Sequence, residues 1–255
     1  MAATHHPSFP EPGNANVKIW RYMDLAKFVW LLQKRALFFA RADKLGDPYE
    51  GYYTRATLQA EDQWVAWSRS RQQEGEAPIN EEEIRSSFRF MATKGTELRT
   101  TLFVNSWHAN EEESAAMWRL YTSLNESVCI TSTFERLFEA LPQQAHMGLV
   151  QYIDYERDVI RLGNMLNNIM HKRRSYAHER EVRAVMWTLN EQTSAAFRQA
   201  NEGLIVPIEL RDVLDSVYVS PLSSPILKEV VTGLLEHYSL NVPVCQSEVN
   251  APPAY

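Results

Sequence analysis

Hydrophobic and polar positions alternate in several short runs that predict β-strands, and segments with helical spacing separate these runs. The first strand is predicted over residues 17–22, and an amphipathic helix follows it up to Lys34. Further strands are predicted at 36–40, 100–107, 127–133, 148–155, 181–187, 204–209, 217–219 and 242–245. Because strands outnumber helices and do not alternate regularly with them, the pattern predicts an α+β fold with a mixed, mostly antiparallel sheet core.

The same pattern predicts one domain with loose ends. Residues 1–16 are polar and rich in Pro and small residues, which predicts a flexible leader, and residues 250–255 predict a flexible tail. The single domain spans 17–249. Within it, about residues 54–95 are strongly helical and charged, which predicts a helical insertion broken into two helices at 75–78. Helices are also predicted at 111–122, 134–141, 162–173 and 225–237.

Composition narrows the function classes. The 255-residue chain is 45% hydrophobic and 23% charged, which is typical of a globular domain. Its formal net charge of −6 argues mildly against a protein that holds duplex nucleic acid by many phosphate contacts. No apolar run is long enough for a membrane helix, so no membrane partner is expected. Two cysteines cannot build a disulfide framework, which favours a cytoplasmic protein.

Several familiar chemical signatures are missing from the sequence. It has no Gly-rich phosphate loop, no GxGxxG, HExxH or CxxC, and no Gly-x-Ser-x-Gly elbow. No spacing of His, Cys, Asp and Glu indicates a zinc site, and no metal is expected. Nucleoside triphosphate hydrolysis, Rossmann-type oxidoreduction and serine hydrolysis are therefore disfavoured.

Polar residues stand at the ends of three predicted strands. They are Arg21-Tyr22, Thr131-Ser132-Thr133 and Glu179-Arg180-Glu181. Taken singly, these segments are typical of a surface pair, a helix N-cap and a solvated strand edge. In a regular strand Glu179 and Glu181 share a face with Arg183, which also allows a static ladder of salt bridges. Asp47 and Glu50 predict a turn that caps the next helix.

Taken in order, the three segments resemble the Arg–Ser–Glu class of ADP-ribosyltransferases. The resemblance implies NAD as the substrate, with Glu181 at the ribose 2′-hydroxyl and Glu179 positioning the nucleophile. It implies that Arg21 holds the pyrophosphate or a ribose, and that Ser132, with Thr131 and Thr133 beside it, braces the glutamate or a ribose hydroxyl. Tyr22, Trp118 and Tyr121 are the candidates for stacking on nicotinamide, although core packing is the default for such aromatic residues.

A closer resemblance covers about residues 17–187. Its segments are Trp20-Arg21-Tyr22, Leu37-Phe38-Phe39 with 47–51, Ser106-Trp107 with 117–121, 128–133 and 179–183. In these segments the chain resembles the bacterial family catalogued as domain of unknown function 2971, which supplies no established activity.

The leading hypothesis is therefore an NAD-using enzyme that transfers ADP-ribose to a protein or nucleic acid, or hydrolyses NAD. By analogy, such an enzyme would suit a toxin or an antiphage defence effector. A second hypothesis is a non-catalytic module of the same fold that binds a nucleotide or a partner. A third is a metal-dependent nuclease that uses Asp154, Glu156, Glu179 and Glu181.

Overall fold

A computed structural model describes residues 2–71, 80–162, 164, 166–188, 197–200 and 202–253. The strands are β1 Lys18–Asp24, β2 Ala36–Arg41, β3 Leu102–Ala109, β4 Ser127–Thr133, β5 Ala145–Leu149, β6 Gln151–Ile153, β7 His171–Arg173, β8 Glu181–Trp187, β9 Arg198–Ala200, β10 Gly203–Pro207, β11 Ser216–Val219 and β12 Val244–Gln246. The helices are α1 Leu25–Lys34, α2 Arg55–Gln59, α3 Glu61–Ser70, α4 Glu81–Glu97, α5 Ala115–Tyr121, α6 Phe134–Ala140, α7 Leu210–Val213 and α8 Pro225–His237.

Within the described residues, ten strands form one mixed sheet whose pairs are antiparallel except for β11 with β12. The main path runs β12-β11-β4-β1-β3-β2-β10-β9, and β8 pairs with both β3 and β5. The predicted mixed, mostly antiparallel sheet is therefore confirmed. A separate parallel pair joins β6 and β7.

The sheet is split beside β3. One edge of β3 pairs with β8 along its whole length, from Leu102 to His108. The other edge of β3 is shared by two strands. β1 pairs with its C-terminal end, where Trp20 lies opposite His108, and β2 pairs with its N-terminal half, where Ala40 lies opposite Val104. β1 and β2 therefore separate along the middle of β3 and leave an opening between them.

Apolar side chains cover both faces of the strands beside this opening. α1 buries Phe28 and Leu32 in the largest core cluster, together with Ile130 of β4 and Val231 of α8. On the other face, Trp20 and Tyr22 pack with Cys129 and with Met117 and Trp118 of α5. Because β1 is packed on both faces, the backbone that carries Arg21 is held firmly.

Two predicted helices differ from the structure. The segment expected as a helix at 162–173 contains a 3-10 helix, Asn168–Met170, and then strand β7. Leu166, Ile169 and Met170 have the spacing of an α-helix, but they pack with Phe9 and Val185 without forming one. The helix expected at 111–122 begins only at Ala115, because the Ser114 side chain caps it by accepting from Met117 N.

The segment predicted as a flexible leader contacts the domain. Ala3 N donates to Phe138 O and Thr4 N to Ala145 O, both at 2.8 Å, and Phe9 is buried. Gly148 permits this packing, since a Cβ atom there would lie 2.7 Å from the Phe9 backbone. Backbone hydrogen bonds and the buried side chains of Ala3 and Phe9 therefore hold this segment against the domain, which its composition does not reveal.

Helices α2, α3 and α4 lie between β2 and β3, where the helical insertion is predicted. The break predicted at 75–78 lies outside the described residues. Arg85 of α4 joins α3 through ion pairs to Glu61 and Asp62, at 3.4 and 2.7 Å. Among the described helices, none is long and apolar enough to cross a membrane.

Candidate functional site

A cleft of about 770 Å³ lies at the split between β1 and β2. This volume falls in the range of about 300–1,000 Å³ that is typical of small-molecule sites. Its floor comes from β3, through Val104, Ser106 and His108, and the 3-10 helix Arg174–Glu179 and β8 add polar groups. Of the residues that the sequence proposes, the cleft brings together Arg21, Tyr22, Tyr121, Glu179 and Glu181.

Arg21 and Lys27 bring two positive charges to the lining of the cleft. Arg21 is half-buried, and its nearest polar contact is Nη2 to the Phe38 carbonyl oxygen at 3.5 Å. Within the part of the chain that the structure describes, no carboxylate oxygen lies within 4.0 Å of Arg21 or of Lys27, which also lines the cleft. Burial lowers the pKa of Arg21 to about 10. An anion placed here would compensate this charge.

The lining of the cleft also includes a buried cluster of charges, which we call the carboxylate cluster. It consists of Glu50, Glu179 and Glu181 with Lys172 and Arg183. Lys172 is its centre: Nζ lies 2.8 Å from Glu50 Oε1 and 3.1 Å from Glu181 Oε2, and it also donates to Glu179 Oε2. Burial lowers the pKa of Lys172, but Glu181 and Glu50 outweigh it and hold that pKa above its ordinary value.

Glu181 is saturated with hydrogen-bond donors. Arg183 donates from Nε to Oε1 at 2.7 Å and from Nη2 to Oε2 at 2.8 Å. Ser106 Oγ donates to Oε1 at 2.5 Å, and Lys172 supplies the fourth donor. Burial would raise the pKa of Glu181, but Arg183 and Lys172 lower it to about 2. A carboxylate accepts about four hydrogen bonds, so Glu181 has no acceptor site left.

Glu179 keeps acceptor sites free. It accepts from Tyr121 Oη at 2.5 Å on Oε1 and from Lys172 Nζ on Oε2, and no further donor among the described residues contacts it. It lies at the end of the 3-10 helix, and Arg180 at φ 42° turns the chain into β8. Glu179 therefore precedes β8 and does not share a strand face with Glu181, yet both glutamates contact Lys172.

The aromatic candidates divide into two groups. Tyr22 and Tyr121 line the cleft, whereas Trp118 is buried behind it, with its ring edge-on to Tyr22 at 5.0 Å. Trp118 Nε1 donates to Glu113 Oε2 at 3.0 Å. Tyr22 is fixed by its hydroxyl, which accepts from Ser114 N at 2.8 Å, and burial raises its pKa. Trp118 thus supports Tyr22 and does not line the cleft.

The Thr-Ser-Thr segment lies away from the cleft, on β4. Thr131 Oγ1 pairs with Ser216 Oγ at 2.6 Å, and Thr133 caps α6 by accepting from Arg136 N. Ser132 is buried, and its hydroxyl has no hydrogen-bond partner in the described part of the chain. β1 lies between β4 and β3, so the hydroxyl that contacts Glu181 comes from Ser106 on β3 instead.

Sequence reasoning missed the centre of the carboxylate cluster. The sequence predicts Lys172 within a helix, where nothing connects it with a carboxylate. It predicts that Asp47 and Glu50 form a turn that caps the next helix, but Thr54 caps α2, and Asp47 accepts from Tyr49 N at 3.1 Å within the turn. Asp47 also pairs with Arg173 at 2.8 Å, so the turn is fastened to β7 by two ion pairs. The signal for these pairs is weak, since the partners are far apart in sequence.

The four carboxylates of the nuclease hypothesis do not meet. Asp154 and Glu156 are absent from the cleft lining, and Glu156 pairs with Arg55 at 3.5 Å. Glu179 and Glu181 already neutralise Lys172 and Arg183. Among the described residues there is no group of three or more His, Cys, Asp or Glu side chains placed to hold a metal ion.

No protein-family model matches the chain, and no curated protein matches it. Among solved structures, it is similar to "Thermus sp. 2.9 DarT in complex with ADP-ribosylated ssDNA". The sequence identity is 11%, the TM-score is 0.41, and the alignment covers 94% of this chain and 97% of that chain. A TM-score this low gives no evidence about the function of this chain. The resemblance to the family catalogued as domain of unknown function 2971 rests only on the sequence segments between Trp20 and Arg183.

Proposed function

We propose that the protein is an ADP-ribosyltransferase-like enzyme that binds NAD in the cleft and cleaves its nicotinamide–ribose bond. The observation that supports this proposal is that one cleft is lined both by Arg21, which has no carboxylate within 4.0 Å among the described residues, and by the carboxylate cluster. A dinucleotide needs both, because its pyrophosphate is anionic and its ribose hydroxyls are hydrogen-bond donors.

The residues of the cleft fit NAD in three respects. Arg21 and Lys27 offer cations to the pyrophosphate. Tyr22 and Tyr121 offer aromatic surfaces to a planar ring. Glu179 offers free acceptor sites to a ribose hydroxyl, whereas Glu181 has none left.

This acceptor count assigns roles to the two glutamates. Loss of nicotinamide develops positive charge on the ribose, and a nearby carboxylate stabilises that charge. We assign this contact to Glu179. Glu181 acts as the anchor: its ion pairs with Arg183 and Lys172 fix Lys172, and Lys172 in turn fixes Glu179. This order reverses the roles that the sequence resemblance implies for the pair.

The experiment is calorimetric binding of NAD to the purified chain, followed by an assay of nicotinamide release. Wild type is expected to bind NAD saturably, Arg21→Ala to abolish binding, and Glu179→Gln to keep binding but lose nicotinamide release. Arg119→Met is the matched control, because Arg119 is exposed on α5 outside the cleft. Absence of NAD binding by wild type would overturn the proposal.

The second candidate function is a non-catalytic nucleotide-binding module, and the same binding and nicotinamide-release assays test it. The four hydrogen-bond donors on Glu181 favour the binding module, because a static ion-pair network also contains fully paired carboxylates. Wild type that binds NAD and releases no nicotinamide, with water, protein or single-stranded DNA as the acceptor, would favour the module over the enzyme.

A further inference from the structure

A histidine that the proposed mechanism does not use, His108, is among the residues that line the cleft. His108 lies on β3 directly opposite Glu181 of β8, and its side chain is buried. Its Nδ1 lies 2.5 Å from the backbone carbonyl oxygen of Glu179. Its Nε2 is buried, and among the described residues no group forms a hydrogen bond with it.

The Nδ1 contact fixes the tautomer of the ring. A carbonyl oxygen only accepts, so Nδ1 must carry the hydrogen. Burial lowers the pKa of His108, which keeps the ring neutral near neutral pH. In a neutral ring with hydrogen on Nδ1, Nε2 is an acceptor with no donor function.

A buried acceptor without a partner is costly, because it has lost its hydrogen bond to water and gained none in exchange. Buried polar atoms of this kind are uncommon, and each calls for a water or a ligand. His108 is one of the residues that line the cleft, so its ring is within reach of a ligand that binds there.

We infer that His108 is a specificity-determining residue that accepts a hydrogen bond at Nε2 from a neutral donor of the ligand, an amide N–H or a hydroxyl. This inference rests on the proposed function. In NAD the two sources of such a donor near the carboxylate cluster are the nicotinamide carboxamide and a ribose hydroxyl. The ring of Tyr22, whose centroid lies 6.3 Å from that of His108, also lines the cleft and offers a surface to a planar amide-bearing ring.

Two substitutions separate the two nitrogens of the ring. His108→Asn keeps a donor where Nδ1 stands, which satisfies the Glu179 carbonyl, but it removes the acceptor at Nε2. His108→Gln extends an amide to the position of Nε2 and is expected to restore part of the binding. His178→Asn is the control, because His178 is exposed on the neighbouring 3-10 helix.

Each protein is titrated with NAD and with nicotinic acid adenine dinucleotide, which replaces the carboxamide by a carboxylate and so lacks the amide donor. Wild type is expected to bind NAD about tenfold or more tightly than the acid analogue, and His108→Asn to lose that preference. Equal weakening of both dinucleotides by about tenfold in His108→Asn would support the inference with a ribose hydroxyl as the donor. Unchanged binding of both would overturn it.

The tautomer gives a test that needs no ligand. Nitrogen-15 NMR of histidine-labelled protein is expected to show His108 with hydrogen on Nδ1, identified by loss of its signal in His108→Asn. Hydrogen on Nε2 would overturn the inference whatever binds in the cleft. If wild type binds neither dinucleotide while His108 has hydrogen on Nδ1, the proposal that NAD is the ligand fails. The inference that Nε2 of His108 accepts a hydrogen bond from a ligand then holds for a ligand other than NAD.

Discussion

Arg183 holds the Glu181 carboxylate at two points, through Nε to Oε1 at 2.7 Å and Nη2 to Oε2 at 2.8 Å. The two residues lie two positions apart on β8, where both are buried. Arg183 also donates from Nη1 to the Ile169 carbonyl oxygen at 2.6 Å. Its guanidinium therefore ties β8 to the segment that precedes Lys172, and the carboxylate cluster is a fixed unit of the fold.

Arg183→Leu is expected to lower the free energy of unfolding by about 3–5 kcal/mol, because it leaves buried Glu181 with one cation fewer. The double variant Arg183→Leu with Glu181→Leu should cost less than the sum of the single changes, since it removes both charges. Denaturant unfolding measures both. Strict additivity would show that the two side chains are not coupled, and Arg119→Leu serves as the exposed control.

The low pKa of Glu181 predicts an acid-dependent contribution to stability. Its pKa falls from an ordinary value of 4.5 to about 2 in the folded chain. Ionised Glu181 therefore contributes stability that is fully present above pH 4.5 and is lost as the pH falls toward 2. The difference in unfolding free energy between wild type and Glu181→Gln should shrink over that interval. Parallel curves for the two proteins would contradict the prediction.

Strands β1 to β4, β8, β10 and β11 could be predicted from the sequence because each carries its own alternating or continuous apolar run. β8 was predicted with its observed bounds, Glu181–Trp187, and α8 likewise as Pro225–His237. The segment at 162–173 failed for a physical reason. Its helical spacing of apolar residues is real, but pairing of β7 with β6 and packing against the first ten residues outweigh local preference.

The candidate site was predicted only in part for a related reason. The sequence predicts Arg21, Glu179 and Glu181 at the ends of strands, which is a local feature, and the fold brings them to one cleft. In the structure Arg21 lies within β1 and Glu179 ends a 3-10 helix, so only Glu181 stands at a strand end. Lys172 and Glu50 enter the site through a buried ion pair between segments far apart in the chain. Strand order decides the rest, because it places Ser106 rather than Ser132 next to Glu181.

Ser106→Ala and Ser132→Ala form a matched pair that tests this strand order. Ser106→Ala should lower the free energy of unfolding by about 1–3 kcal/mol, because it removes a donor to a buried carboxylate. Ser132→Ala should be neutral or stabilise by up to about 1 kcal/mol, since its buried hydroxyl has no partner among the described residues. Denaturant unfolding measures the difference. A larger loss in Ser132→Ala than in Ser106→Ala would place the supporting hydroxyl on β4 after all.

The turn between the two glutamates gives a test of backbone geometry. Arg180 has φ 42°, in the left-handed region, and it is exposed. Arg180→Gly should preserve stability, whereas Arg180→Val should lower it by about 1–2 kcal/mol, because a β-branched residue resists this conformation. Thermal unfolding ranks the variants. The Val variant should also bind NAD more weakly, since it displaces Glu179; equal stability of the two variants would show that the turn is not constrained.

Arg21 should limit the stability of the ligand-free protein. Its guanidinium is partly desolvated and has no carboxylate within 4.0 Å in the described part of the chain, and burial lowers its pKa to about 10. Arg21→Met keeps the length of the side chain and removes the charge, so it should raise the free energy of unfolding by about 1–3 kcal/mol while it abolishes NAD binding.

Lys27→Met is the control for these opposite effects on stability and NAD binding, because Lys27 also lines the cleft but is exposed. It should weaken NAD binding with little change in stability, since an exposed charge is already solvated. Denaturant unfolding without ligand and calorimetric titration with NAD give the two readouts for both variants. A loss of stability in Arg21→Met would mean that its weak contact with the Phe38 carbonyl matters more to the fold than the buried charge costs, and Arg21 would then be a structural residue of the split sheet.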